Sequence, residues 1–219
     1  MPHTRIAEGL KFPEGPIALP NGDVLLVEIA RGTLSRVTPD GAVTVVADLG
    51  GGPNGAALGP DGKCYVCNNG GFKWIERDGR LYPGEQPDDY RGGRIECVDL
   101  ASGETQTLYT HCDGRLLRGP NDLVFDRSGG LWFTDHGKTR ERERDRTGVF
   151  YAAADGSFIR EAIFPLEGPN GIGLSADESE LYVAETMTAR LWAYPISEPG
   201  VVDPRQRRLA AGAARMIHL

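Results

Sequence analysis

The sequence predicts an all-β fold, a β-propeller made of four-stranded antiparallel blades. Three observations predict it: a motif repeated four times, a second strand pair after each copy, and the lack of helical periodicity between them. The repeat is Glu14 to Glu28 (EGPIALPNGDVLLVE), Asn54 to Asn68 (NGAALGPDGKCYVCN), Asn121 to Asp135 (NDLVFDRSGGLWFTD) and Asn170 to Glu185 (NGIGLSADESELYVAE). Each copy opens on a polar residue in a Gly/Pro setting and continues as a short apolar run. A turn of Asp, Asn, Gly or Ser follows, then a second apolar run (VLLV, CYVC, LWFT, LYVA) that ends on a polar residue. Two strand-like runs joined by turn chemistry read as a β-hairpin.

The remaining strands of each blade follow in order. The first unit adds Gly32 to Val37 and Ala42 to Leu49, and the second adds Gly93 to Leu100 and Thr105 to Thr110. The third adds Gly148 to Ala153 and Phe158 to Phe164, and the fourth opens its outer pair with Ala189 to Ile196. Blades starting near 14, 54, 121 and 170 make one domain over residues 1–219, with starts 40, 67 and 49 residues apart. The long second spacing holds Phe72 to Tyr90, read as an inserted loop over one face. The run Lys138 to Thr147 (KTRERERDRT) reads as a solvated surface loop. Only the tail Pro204 to Leu219 carries a weak helical pattern, and Arg207 to Ala210 could form an outer strand. A βαβ fold would need helices between strands. A sandwich would have no reason to repeat the polar opening residue.

Composition narrows the function. Apolar residues make up 40% of 219, enough for a core without disulfides. A net charge of −7 argues against nucleic-acid or anionic-membrane partners. The N-terminus lacks the pattern of a secretory signal and no apolar run has membrane-spanning length, so a cytoplasmic protein is expected. Cys64 and Cys67 form a CxxC inside a strand, where residues three apart point to opposite faces. They are expected to be reduced and unbridged, like Cys97 and Cys112.

In a propeller the first strand of every blade lines the central channel, so equivalent positions converge on the axis. The opening position carries Glu14, Asn54, Asn121 and Asn170, and the end of the second strand carries Glu28, Asn68, Asp135 and Glu185. Carboxylate and amide oxygens form a hard donor set suited to calcium.

The chain resembles the gluconolactonase/regucalcin (senescence marker protein) family, which includes diisopropylfluorophosphatase-like hydrolases. The carrying motifs are Pro13-Glu14-Gly15-Pro16, Gly119-Pro120-Asn121-Asp122-Leu123 ending in Phe133-Thr134-Asp135, and Gly168-Pro169-Asn170-Gly171 followed by Leu181-Tyr182-Val183. The resemblance covers Phe12 to about Ile196 and implies a propeller of the six-bladed type. About four blades are present, so a chain truncated at its C-terminus is expected. It implies Glu14, Asn121 and Asn170 as metal ligands, with Ca2+ as the ion and Mg2+, Mn2+ or Zn2+ as alternatives. Asn54 would line the pocket against substrate. The family's fourth ligand, an Asp in a Pro-Asp-Gly motif, has no counterpart after Ile196.

The implied function is metal-dependent hydrolysis of a sugar lactone or similar small lactone. The ion would polarise the carbonyl while a base takes a proton from water. Asp135 is the substitute base expected within this chain, ahead of His136, which should point away from the channel. Arg118 could bind a sugar-acid oxygen at the channel mouth. Asp122 reads as structural, and Trp132 and Phe133 as blade packing. The alternatives are a non-catalytic calcium-binding propeller, a truncated inactive one, or a phosphotriesterase-like hydrolase on the same scaffold.

Overall fold

The computed structural model describes residues 4–202 and the backbone of residues 215–217. Blade 1 is β1 (Pro13–Ala18), β2 (Val24–Glu28), β3 (Thr33–Val37) and β4 (Val43–Asp48), hydrogen-bonded in that order. Blade 2 starts with β5 (Pro53–Leu58) and β6 (Cys64–Asn68). The hairpin β7 (Trp74–Arg77) and β8 (Arg80–Pro83) then leaves the sheet, before β9 (Arg94–Val98) and β10 (Thr105–Tyr109) complete it. A short hairpin, β11 (His111–Cys112) with β12 (Arg115–Leu116), leads to blade 3: β13 (Pro120–Phe125), β14 (Gly130–Asp135), β15 (Thr147–Ala153) and β16 (Ile159–Leu166). Blade 4 is β17 (Pro169–Leu174), β18 (Glu180–Glu185), β19 (Arg190–Glu198) and β20 (Val201–Val202), with β21 (Arg215–Ile217) also paired to β19. Of the tail read as weakly helical, only Arg215–Ile217 is described, and it is strand. The rest of it, with Arg207 to Ala210, lies outside the described residues. Among the described residues no helix is long and apolar enough to cross a membrane.

The blades stack face to face, and strand periodicity explains how. In β6, Cys64 and Val66 face blade 1 beside Val27 and Leu34, while Tyr65 and Cys67 face blade 3 beside Leu123 and Phe133. In β14, Leu131 and Phe133 face blade 2, while Trp132 faces blade 4 beside Leu181 and Val183. A strand buried on both faces must be apolar at consecutive positions, which is why CYVC and LWFT carry no alternation. The same geometry keeps Cys64 and Cys67 in different layers, and all four cysteines are free and buried. Phe133 and Phe150 stack at 5.1 Å between blades 2 and 3.

The inner strands β1, β5, β13 and β17 lie side by side in that order. What fixes their start is the polar residue that ends each second strand. Glu28 accepts the Lys11 amide at 2.6 Å, and Asn68 Oδ1 accepts that of Gly52 at 2.9 Å. Asp135 accepts the amides of Arg118 and Gly119, each at 2.7 Å, and Glu185 accepts that of Glu167 at 2.6 Å. All four are buried. Each is therefore a pin that holds the segment entering the inner strand, and it supplies an acceptor to backbone N–H groups that no ladder reaches.

Asp135 takes a third amide, that of Gly137 at 2.9 Å. Truncating it to Ala leaves three buried donors without an acceptor, at about 1–3 kcal/mol each. Asp135→Ala is therefore expected to lose roughly 3 kcal/mol or more of stability in urea unfolding. A loss below about 1 kcal/mol would show that the amides find other partners.

Candidate functional site

Each inner strand opens on a proline paired with the pin of its own blade: Pro13 with Glu28, Pro53 with Asn68, Pro120 with Asp135, Pro169 with Glu185. The register then slips in all four blades, after Glu14 in blade 1 and directly after the proline in the other three. A bulge at that point re-aims the side chain after the proline. The result is that Glu14, Asn54, Asn121 and Asn170 line one central cavity of about 380 Å³. Close approach of the inner strands depends on the glycine that follows. A Cβ on Gly15, whose φ is +54°, would meet Ala56 N at 2.7 Å, and one on Gly55 would meet Asn121 O at 2.3 Å. Thr134 Oγ1 donates to Asn170 O at 2.6 Å, and Asp122 accepts the Ile172 amide at 3.2 Å. These two bonds tie blade 3 to the start of β17 in blade 4 and give Asp122 a structural role.

The four converging side chains have little to do within the protein. Among the described residues Glu14, Asn54 and Asn121 make no side-chain hydrogen bond or ion pair, although Asn121 is buried. Asn170 uses its Nδ2 on Thr186 Oγ1 at 3.2 Å, which leaves its oxygen free. The polar atoms of these side chains open onto the cavity. Free hard-oxygen donors facing one cavity are the chemistry a divalent cation takes. Glu14 is the one carboxylate among the described residues that line this cavity. No cluster of three His, Cys, Asp or Glu side chains that could hold a metal occurs among the described residues.

An apolar wall faces these donors. Phe12 contributes from a left-handed backbone position, φ 58°, where the other three blades place glycine before the proline. A bulky side chain there is strained. Its ring lies 5.1 Å from Trp74, which in turn lies 5.7 Å from Phe72. Phe72 and Trp74 belong to the segment inserted in blade 2. The sequence reading made this segment a loop, but it contains hairpin β7–β8. Its turn, Asp78-Gly79, has both φ angles positive, 51° and 69°.

The cavity wall also carries His136 and Lys138. Lys138 is 2% exposed, which corrects the reading of Lys138 to Thr147 as wholly solvated. Burial pulls its ammonium down to about 7 against the opposing fields of Asp135 and Asp145. His136 corrects the expectation that it points away. It follows the pin rather than a channel residue, so the alternation runs the other way. Burial, with Arg144 beside it, lowers His136 to about 4.

Asp135 and Arg118 lie elsewhere. Asp135 is 1% exposed with both oxygens on backbone amides, and burial raises its pKa in spite of them. It does not line the central cavity, so it is placed as a pin and not as the base expected for it. Arg118 lines a larger cleft of about 660 Å³ between hairpin β11–β12 and blade 3, which contains none of the four converging residues.

Comparison with known proteins agrees with this architecture. The model of the SMP-30/Gluconolactonase/LRE-like region matches residues 12–215. A gluconolactonase of Zymomonas mobilis is 30% identical, with 91% of this chain and 56% of that protein covered. The lactonase drp35 of Staphylococcus aureus is 29% identical, with 89% and 52% covered. This chain thus spans about half the length of the curated relatives it matches. A solved gluconolactonase from Xanthomonas campestris superposes with a TM-score of 0.68 at 24% identity, over 88% of this chain and 61% of that one. A chain of a nidogen/laminin complex does so at 0.63 and 23%, over 88% and 64%. At such identities the likeness is one of fold, a β-propeller.

The His136 shift has a sign that can be checked. Its folded pKa, about 4, lies below the unfolded value near 6.5, so the folded state binds fewer protons between those limits. Its neutral ring costs nothing above about pH 6.5, and stability is lost as pH falls toward about 4. The stability gap between the protein and His136→Gln should move in the variant's favour across that window, measured by urea unfolding. Proton NMR should show a ring that titrates near 4; titration near 6.5 would remove His136 from the buried wall.

Proposed function

Because this chain belongs to the SMP-30/gluconolactonase/LRE-like family, we propose that its central pocket binds and hydrolyses a small lactone with a divalent cation held by Glu14, Asn121 and Asn170. The observation that carries this reading is the convergence of oxygen donors with no partner in the protein on one cavity. The donor set is hard and holds no sulfur, which favours calcium over zinc, with magnesium and manganese behind it. Bound there, the cation would polarise a lactone carbonyl toward attack by water.

The chain's own residues then divide the work. Asn54, next to Asn121 in the inner ring, offers a free amide to a substrate oxygen, and its NH2 can donate where Glu14 only accepts. The wall of Phe12 and Phe72 limits water on the opposite side. Removal of the water proton is the weak point. The Asp135 oxygens are occupied by amides. His136 has its Nε2 3.4 Å from Arg144 and is a poor base with a pKa of about 4. Lys138, pulled down to about 7, has its Nζ tied to Gly71 O and Asn69 Oδ1, which leaves Glu14, and it cannot fully serve as cation ligand and as proton acceptor at once. Slow hydrolysis follows. The same single carboxylate supports a second reading, a calcium-binding propeller without turnover.

Calcium affinity rises with the number of charged ligands. With one carboxylate among three donor residues, a dissociation constant on the order of 10⁻⁴–10⁻³ M is expected by calorimetry. Lactone hydrolysis, followed by pH-stat, should be slow and abolished by EDTA. Glu14→Gln should weaken calcium binding about tenfold or more and remove hydrolysis with it. Calcium binding without hydrolysis of any lactone would select the second reading. Hydrolysis indifferent to EDTA and to Glu14→Gln would overturn the site.

A further inference from the structure

The segment inserted in blade 2 meets the rest of the protein at several contacts, and a buried lysine joins its two ends to blade 3. Lys138 Nζ donates to Gly71 O at 2.6 Å and to Asn69 Oδ1 at 3.2 Å. It also sits over the Phe72 ring at 4.4 Å and the Tyr90 ring at 5.5 Å. Phe72 and Tyr90 are the two ends of the inserted segment and Asn69 and Gly71 lead into it from β6, whereas Lys138 belongs to the loop after β14 of blade 3. Around this point Thr139 O accepts the Gln86 amide at 2.9 Å, and Arg140 Nη1 donates to Gln86 Oε1 at 3.2 Å. The hairpin would otherwise stand free of its blade. A two-stranded hairpin is marginal alone, so its position comes from these anchors.

The held segment supplies part of the cavity lining. Phe72, Pro83, Gly84 and Gln86 line it together with Glu14 and the three Asn. Phe12 reaches the same wall at the expense of a left-handed backbone, and strain of this kind concentrates where a ligand is handled. The lysine is an unusual choice for a purely structural anchor. A buried ammonium costs desolvation that an apolar residue of equal length avoids, while it alone can donate to a carbonyl and an amide and face two rings.

We propose that Lys138 is a positioning residue for the pocket: it fixes the inserted segment so that Phe72 and Phe12 form the surface against which the substrate lies. This rests on the reading of the pocket as a lactone site. The oxygen-bearing floor handles the carbonyl that every lactone shares. The wall discriminates between substrates, favouring lactones with an apolar face or substituent over polyhydroxylated ones, whose hydroxyls would be desolvated there without partners.

Two variants and two readouts test it. Lys138→Met keeps length and packing and removes the donors. Asn69→Asp puts a carboxylate beside the ammonium and replaces an Nδ2 that is buried without a partner. The first readout is limited proteolysis in the inserted segment, together with acrylamide quenching of Trp74, and it needs no activity. Lys138→Met should be cut about tenfold faster there, and Asn69→Asp should be cut more slowly than the unaltered chain. The second readout is steady-state hydrolysis of a γ-lactone with an alkyl chain and of an aldonolactone. Lys138→Met should raise KM for the alkyl lactone about tenfold, leaving kcat and the aldonolactone within about twofold. Asn69→Asp should leave KM for the alkyl lactone unchanged or lower it. Unchanged cleavage in both variants would overturn the proposal. So would a fall in kcat shared by both lactones at constant KM, which would put Lys138 in the chemistry itself. If the unaltered chain hydrolyses neither lactone, the lactone reading fails, and the proteolysis result alone decides whether Lys138 holds the segment.

Discussion

Everything at the centre of this protein depends on a buried acceptor that ends the second strand of each blade. A four-stranded blade satisfies its own ladder, but the chain entering its first strand arrives from the previous blade with its amides facing inward. Glu28, Asn68, Asp135 and Glu185 meet those amides. Since backbone donors buried without partners are costly, the four side chains decide where each inner strand begins. The residue after the proline is then delivered to the axis beside a register shift, which falls after Glu14 in blade 1 and directly after the proline in the other three.

The pins differ in how they carry their charge. Glu28 is raised by burial, yet Arg31, the Lys11 amide and Ser35 together hold it below the usual carboxylate range. Asp135 has three amides and no ion pair, and burial wins, so its pKa is raised. Asn68 avoids the charge, and its Nδ2 donates to Glu96 and to Gly50 O. One geometric task thus tolerates three residue types, because the requirement is an oxygen acceptor at a fixed place and not a negative charge.

Much of the fold was legible because propeller blades are written locally. The repeat, the turn chemistry and the two-faced apolar runs are short-range signals, and each corresponds to a hairpin or an interblade layer. The convergence of Glu14, Asn54, Asn121 and Asn170 was legible as well, since equal position in a repeat becomes equal position around an axis. What could not be separated was the pocket from the pins. Both positions recur in each blade and both use Glu, Asn or Asp. The pins' partners are backbone amides, which leave no trace in residue identity. The swap of Asp135 and His136 follows from that. Lys138 was hidden for a different reason: it begins a run of charges that reads as solvated, and its aromatic partners Phe72 and Tyr90 are more than forty residues away. The Asp78-Gly79 turn was a readable hairpin signal that was passed over.

The division between pins and pocket also sets the chemistry the pocket can offer. Most of the carboxylates near the axis are committed to amides: Glu28, Glu185 and Asp135 to the entering chains, and Asp122 to Leu123 and Ile172. Each is held in one orientation by its hydrogen bonds, and none of the four lines the central cavity. The pocket is therefore rich in neutral amide oxygens, with Glu14 alone bringing charge among the described residues that line it. Such a site orients a polar group well and stabilises a developing charge poorly. For the lactone proposed here, the burden of selection would shift from the floor to the wall, where Phe12 is strained and Phe72 lies against Lys138. Discrimination by shape and by apolar contact is the form of specificity that a charge-poor site retains.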